Sequence, residues 1–401
     1  MEKLNQKLKG NKDITKKKET FESKWPLIKL GDLSAPPQYG ATEKAIDGNK
    51  ETDYRYIRIT DIMDDGNLGE DWKTAEHINE QYILNDGDIL FARSGATVGK
   101  SFIYKNSIGK AIYAGYLIRF QFNREHILPC YAYSITSSVK YKEWVEMHKG
   151  RTAQPNINGQ QYSSFKIPVP PIDVQKQIVE EIGKVEKSNS DAKYLIDKNL
   201  SDIRTIIDGL DSTVSIKEYF DINTLTLNPT SCWKDEFFTY VDIDSVGKGD
   251  GSISFDKKIL GKDAPSRARR VAEDRTVVVS TVRPYLKGFA YIDSVPEKTI
   301  FSTGFALLKS KNEENYISKL LYYLFMFSDN LMKQMETAMP KAAYPSINKE
   351  DIDNFKIPLL TIDEQKRIVA QIEALELEIT KARTLIESAA SEKQAILDKY
   401  L

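Results

Sequence analysis

The sequence predicts an α+β chain. Two mixed α/β domains stand in tandem repeat, each followed by a long helix with a coiled-coil face. Three observations predict it. Slid against itself, the chain matches at an offset of 190 residues: positions 165–182 and 355–372 share 11 of 18 identities. The same offset pairs Pro155-Asn-Ile-Asn158 with Pro345-Ser-Ile-Asn348 upstream, and Ala192 with Ala382, Ile196 with Ile386, Ile206 with Ile396 and Asp208 with Asp398 downstream. One register held that far is a duplication. After each matched segment apolar residues recur at alternating steps of four and three, the spacing of a helix with a packed seam. Before it, segments rich in β-branched and aromatic residues read as strands.

Taken in order, residues 1–24 hold eight Lys against four acids with no apolar periodicity, and read as a basic flexible tail. Residues 25–171 form the first globular domain. Tyr54-Arg-Tyr-Ile-Arg-Ile-Thr alternates as a half-buried strand does, and Asp88-Ile-Leu-Phe-Ala-Arg reads as a buried one. Pro168, Pro170 and Pro171 close this domain, because proline resists continuing a strand or helix. Residues 172–210 form the first long helix, with Asp173 placed as its N-cap. Its seam runs Ile178, Ile182, Val185, Asn189, Ala192, Ile196, Asn199, Ile203, Ile206 and Leu210. The second globular domain spans 211–361, with Arg275-Thr-Val-Val-Val-Ser as a buried strand and Pro358 near its close. Residues 362–401 form the second helix, Asp363 at its N-cap. Its seam is Ile368, Ile372, Leu375, Ile379, Ala382, Ile386, Ala389, Lys393, Ile396 and Tyr400. About 37 residues at ~1.5 Å each make a rod of about 55 Å, longer than a domain of this size is wide. The matching seam of the other copy is the cheapest cover for it. Two amphipathic helices packing separately, each on its own domain, is the alternative.

Composition excludes several classes. The 401 residues exceed what one core usually holds, and 41% apolar content is enough for two. The longest apolar stretch, 317–327, is broken by Ser318 and Lys319 and falls short of a bilayer span. The N-terminus has no apolar stretch to serve as a signal peptide. Two cysteines, Cys130 and Cys232, give no disulfide framework and point to a reducing compartment, the cytoplasm. The net charge of −1 is neutral on nucleic-acid binding, since a large protein can gather its basic residues on one face.

No catalytic constellation emerges. Gly95-Ala-Thr-Val-Gly99-Lys100-Ser101 resembles a phosphate-binding loop, but it has three residues between its glycines where that loop needs four. It also leads into a strand-like segment, whereas the phosphate loop must open a helix; a hairpin turn is the better reading. Glu364-x-Lys366 with Asp351 upstream faintly suggests a metal-dependent nuclease, yet these residues lie around the start of the repeat helix, and the first copy has Val174 in place of Glu364. His77, His126 and His148 share no metal-ligand spacing.

What remains is recognition chemistry: turns that carry aromatics, Arg and amides together. In the first domain these supply Gln38 and Tyr39; Arg93, Ser94 and Thr97, with Arg58 and Lys100 nearby; and Gln154, Asn156 and Asn158. In the second they supply Arg267, Arg269 and Arg270; Arg283, Tyr285 and Lys287; and Lys341 with Tyr344. Arg pairs bidentately with guanine, and Asn or Gln with adenine, which makes all of these candidate DNA-contacting residues. An ordinary polar loop is the alternative at each.

Together these features resemble the specificity (S) subunits of type I restriction-modification systems. The resemblance runs from Trp25 to Leu401 and rests on the twice-occurring Lys-Ile-Pro…Ile-Asp-x-Gln-Lys-x-Ile-Val segment, the helix after it and the Asn-Ile-Asn or Ser-Ile-Asn before it. Asp88-Ile-Leu-Phe-Ala-Arg-Ser-Gly also fits. Leu359-Leu360-Thr361 departs from the family pattern, which the first copy keeps as Val169-Pro170-Pro171. The resemblance implies two target-recognition domains joined by helices packed as an antiparallel coiled coil, each domain reading one half of an asymmetric, interrupted site in double-stranded DNA. It implies that the helices dock two methyltransferase subunits, and that motor-nuclease subunits complete the complex. S-adenosylmethionine, ATP and Mg²⁺ would belong to those partners and no cofactor to this non-catalytic chain. A coiled-coil scaffold without a nucleic-acid role is the rival reading; it explains the helices but not the Arg-rich turns.

Overall fold

The structure is a computed structural model that describes residues 22–150, 154–339 and 345–401. Most of the basic N-terminal tail, together with Lys341 and Tyr344, lies outside the described residues. The chain divides into two compact units, Met1–Asp191 with Leu385–Leu401, and Ala192–Thr384. Each of the two long helices, Ile172–Asp208 and Ile362–Tyr400, therefore begins in one unit and ends in the other.

In the first unit a four-stranded antiparallel sheet runs in the order Gln38–Tyr39, Leu117–Phe120, Ile89–Ala92, Ser101–Ile103. The period of two along a strand turns successive side chains to opposite faces. Ile89 and Phe91 thus enter one core with the helices Pro129–Ile135 and Val139–His148, while Leu90 and Ala92 enter another. The second core closes against a parallel pair, Arg55–Ile57 with Ala111–Tyr113.

The second unit repeats the plan. Its four-stranded sheet is ordered Phe220–Ile222, Phe305–Ser310, Thr276–Ser280, Phe289–Ile292, again with Val277 and Val279 on one face and Val278 on the other. A parallel pair, Phe237–Val241 with Thr299–Ser302, stands where the first unit has Arg55–Ile57 with Ala111–Tyr113, here inside a five-stranded sheet. The apolar run read at 317–327 is the buried helix Ser318–Phe327, and no described helix is long and apolar enough to cross a membrane.

Each long helix serves as a core element at both of its ends. In the first unit Ile178 and Ile182 pack with Leu397; in the second Ile203 and Ile207 pack with Ile368, Ile372 and Ile379. The start of each helix thus meets the end of the other, an antiparallel coiled-coil pairing. Polar contacts keep the same sense. In the first unit Glu181 accepts from Lys399 Nζ at 2.8 Å and Tyr400 Oη at 2.7 Å, and Glu186 from Lys393 at 2.8 Å. In the second, Asn199 Nδ2 donates to Glu378 at 2.9 Å.

Two details differ from the sequence-based expectation. Near the helix ends Ile207 and Leu397 are fully buried, whereas Ile206 and Ile396 are only half-buried. A straight helix of 3.6 residues per turn drifts from a strict 3.5 repeat, and here the seam drifts by one residue. Asp173 and Asp363 lie in the first helical turn instead of at the N-cap. In the second copy Thr361 is the cap: Glu364 N–H donates to its hydroxyl at 3.4 Å, and Thr361 N–H donates to the Glu364 carboxylate at 2.9 Å. That capping pair accounts for Glu364, and Asp351 belongs to another, with Asn348.

The repeated Gln of Ile-Asp-x-Gln also has a structural role. Gln175 and Gln365 are fully buried. Gln175 accepts from Leu128 N–H at 2.8 Å and donates to the carbonyls of His126 at 3.1 Å and Pro170 at 2.8 Å. Gln365 does the same for Ile317, Asn315 and Leu360. Each amide ties the start of a long helix to its globular half.

Candidate nucleic-acid interface

The candidate interface is a turn that each unit makes after a central sheet strand. In the first unit it is Gly95–Thr97, which follows Ile89–Ala92 and returns as Ser101–Ile103, a hairpin. Gly95 (φ +71°) and Gly99 (φ +88°) both take left-handed backbone, which glycine adopts without a Cβ penalty. Their spacing serves this tight turn. In the second unit the turn is Pro284–Leu286, between Thr276–Ser280 and Phe289–Ile292.

A clasp holds both turns. Gly95 N–H donates to Pro155 carbonyl and Ile157 N–H to Arg93 carbonyl, at 3.0 and 2.9 Å. Arg283 N–H to Pro345 and Ile347 N–H to Thr281 repeat the pair, both at 3.0 Å. The repeated Pro-x-Ile-Asn segment is thus the clasp, and its last residue, Asn158 or Asn348, caps the next short helix.

The clasp brings several candidates together in the first unit. Ser94 bridges to Asn156, and Thr97 Oγ1 donates to Ser94 carbonyl at 3.2 Å. The Arg93 guanidinium lies 4.8 Å from the centre of the Tyr39 ring, and Tyr39 Oη accepts from Gly159 N–H at 2.9 Å. Asn156 and Gln154 are exposed beside them. Gln38 faces away from this group: its side-chain carbonyl accepts from Arg119. Arg58 is held by carboxylates. It reaches Asp61 at 2.6 Å and Asp71 at 2.8 Å, contacts that hold its guanidinium firmly in the charged form. Lys100 lies 2.7 Å from Asp64. These two cations sit in an acidic setting.

The second unit sorts its basic residues likewise. Arg267, Arg283 and Tyr285 are exposed. The chain links them, since Thr303 N–H donates to Arg267 carbonyl and Thr281 N–H to Gly304 carbonyl. Arg270 turns inward to Asn223 Oδ1 at 2.6 Å and to the Phe305 carbonyl, and burial lowers its pKa. Arg269 folds back on Ala268 carbonyl at 2.7 Å. Lys287 Nζ donates to Met326 carbonyl at 2.7 Å, at the end of Ser318–Phe327; burial first, then Arg204, lowers its pKa. Sequence reasoning missed Tyr116, an exposed residue whose carbonyl accepts from Arg93 N–H at 3.0 Å. Its signal was the Gly115-Tyr116 pair between two strands. Among the described residues no His, Cys, Asp and Glu group is placed to hold a metal ion.

The type I restriction modification DNA specificity domain matches this sequence twice, over residues 22–195 and 213–388. The chain belongs to that family. Its function is DNA-sequence recognition within a type I restriction-modification system, and the two matches fall one on each repeat. A relative is the type I restriction enzyme MjaVIII specificity subunit of Methanocaldococcus jannaschii, 23% identical over 93% of this chain and 89% of the relative. Among solved structures, the type I restriction-modification S subunit from M. genitalium aligns with a TM-score of 0.58 at 13% identity, covering 96% of this chain and 98% of that one. A chain from a study of complex assembly and conformational transition of the type I R-M system aligns with a TM-score of 0.54 at 21% identity, over 94% and 97%. At these identities the structural likeness bears on the fold, two domains and two long helices.

Proposed function

We propose that each repeat reads one half of a bipartite DNA site through its clasped turn, and that catalysis resides in partner subunits. The observation that carries this is the shared backbone with unlike side chains. Where the first turn offers Arg93, Ser94 and Thr97, the second offers Thr281, Val282 and Tyr285. Two turns of one geometry but different chemistry would select different bases, which makes the whole site asymmetric. The exposed members are Tyr39, Asn156, Arg267, Arg283 and Tyr285, and we assign contacts to these ahead of Arg58, Arg270 and Lys287, which are half-buried. In domain terms, the readers are 25–171 and 211–361, and 172–210 with 362–401 form the connecting helices.

The long helices also carry exposed apolar side chains, Tyr194, Leu377 and Leu385, at 72%, 56% and 49% exposure. Such side chains support docking of two methyltransferase subunits along the rods, with motor-nuclease subunits joining the full complex. S-adenosylmethionine, ATP and Mg²⁺ chemistry is assigned to those partners, in the cytoplasm. The test is selection from a randomised duplex library by the full chain co-purified with its methyltransferase subunits. We expect two short conserved blocks separated by a fixed unconserved gap. Binding without any enriched sequence would favour a scaffold and overturn this reading.

A further inference from the structure

Arg93 enters the clasped turn of the first repeat with its backbone held on both sides. Its N–H donates to Tyr116 carbonyl at 3.0 Å, and its carbonyl accepts from Ile157 N–H at 2.9 Å. Those bonds fix where the side chain leaves the turn. It leaves toward Tyr39, whose ring centre lies 4.8 Å from the guanidinium carbon. The ring is itself anchored. Tyr39 pairs with Ile118 in the sheet, and its hydroxyl accepts from Gly159 N–H at 2.9 Å. Gly159 opens the short helix that Asn158 caps, so its N–H is one that the helix leaves without a carbonyl. The guanidinium is thus laid on a plane that sheet and clasp hold still. Such a stack settles its orientation through the π-face and uses none of its N–H groups.

Arg93 is half-buried, but its hydrogen bonding sets it apart from other half-buried cations. Arg58 pairs with Asp61 and Asp71, Arg270 with Asn223 and the Phe305 carbonyl, and Lys287 with the Met326 carbonyl. Among the described residues no oxygen accepts from the Arg93 guanidinium, and its Nε is buried without a partner. Burying an N–H unbonded costs stability, so a side chain that does it needs a reason. Holding the turn is not the reason. The second repeat makes the same two backbone bonds with Thr281, to Gly304 carbonyl at 2.9 Å and from Ile347 N–H at 3.0 Å. There the side chain is a hydroxyl that donates to Gly304 carbonyl at 2.8 Å. One position of a shared backbone therefore carries an aimed guanidinium in one repeat and a short, internally bonded hydroxyl in the other.

We infer that Arg93 is a specificity-determining residue: its guanidinium reads a guanine in the half-site taken by the first repeat, and Tyr39, beyond any contact of its own, is the residue that positions it. The inference rests on the DNA-recognition reading above. A planar guanidinium matches guanine O6 and N7 with two parallel hydrogen bonds, which the point charge of lysine cannot reproduce. Because the stack already fixes the plane, little side-chain freedom is lost when those bonds form. Thr281 has no such fork, so the second half-site lacks this contact.

The experiment selects duplexes from a randomised library with the full chain and its methyltransferase subunits, and records melting temperatures alongside. Arg93→Ala is expected to melt close to the parent, since the backbone bonds remain and an unbonded buried N–H is removed. It is expected to lose the guanine preference at one position of one half-site and to bind the parental site ~10-fold or more weakly. Arg93→Lys should recover part of the affinity but not the preference. Should the alanine variant melt well below the parent, the lysine variant, which keeps the stem and the charge, decides. Tyr39→Phe keeps the ring and should keep the preference. Tyr39→Leu should weaken the preference, and should take nothing further from that position when Arg93 is already alanine. If the Arg93 variants select the parental sequence at every position, or lose a preference for a base other than guanine, the assignment fails. A uniform loss of affinity across all sequences, with a flatter salt dependence, marks a phosphate contact and also overturns it. An undiminished guanine preference in Tyr39→Leu overturns the positioning role. A parent chain that selects no sequence at all removes the DNA-recognition reading itself, which separates that failure from the others.

Discussion

At the scale of single residues, the basic side chains divide by what they already touch. Arg270 is spent on Asn223 and Phe305, while Arg267, three residues earlier, is exposed. Arg270→Ala would leave the Phe305 carbonyl and Asn223 side chain without their donor and should cost about 2 kcal/mol of folding stability, read from a urea transition. Arg267→Ala should leave stability within about 0.5 kcal/mol and weaken duplex binding, with a shallower salt dependence if the contact is to phosphate. The reverse pattern, a stable Arg270→Ala that loses DNA and an unstable Arg267→Ala, would contradict this division. Sequence showed that Arg267, Arg269 and Arg270 cluster, and that such clusters favour DNA. It could not show that strand pairing turns Arg270 inward beside Leu225–Thr226, because a one-residue shift along a strand exchanges core for solvent.

At the scale of elements, the long helices were the most legible part of the chain, since a period held for over thirty residues survives small local errors. Their caps and ends were less so. Thr361 caps by a reciprocal pair with Glu364, a signal present in the sequence but masked by the departure at Leu359-Leu360-Thr361. The buried glutamines were not legible, because a repeated Gln reads as readily as a solvated helix residue. Gln175→Ala would strand Leu128 N–H and the His126 and Pro170 carbonyls beneath the helix start. A loss of about 3 kcal/mol is expected by urea denaturation, with a like loss for Gln365→Ala. A loss under about 1 kcal/mol for both would mean that the amides do not anchor the helices. Glu181 adds a pH dependence. Lys399 and Tyr400 hold its carboxyl below its ordinary value, so its contribution is present above the ordinary carboxylate pKa and fades as pH falls through the depressed one.

At the scale of the whole molecule the duplication goes deeper than sequence identity reveals. Only 165–182 and its copy, the Pro-x-Ile-Asn segment before each and scattered seam positions remain recognisable as residues. Yet the four-stranded sheets, the parallel pairs and the turns that the clasp holds recur with almost no identity between them. Buried strands accept many β-branched and aromatic combinations, and turns that read different bases, as we propose for these two, would have no reason to stay alike. Independent readers are exchangeable. Replacing residues 25–171 with the equivalent domain of another family member should change one half of the recognised site and leave the other half intact, as read by target selection with the assembled methyltransferase. A change in both halves would contradict two separate readers.

The central claim, one chain reading one two-part site through two unlike copies of the same turn, is tested most directly by mapping methylated bases genome-wide in cells that carry this chain with its methyltransferase partners. The account predicts a single methylated motif of two different short blocks separated by a gap of constant length, absent when the chain is deleted. A methylated motif that persists without the chain, or one that is a single uninterrupted block, would contradict it.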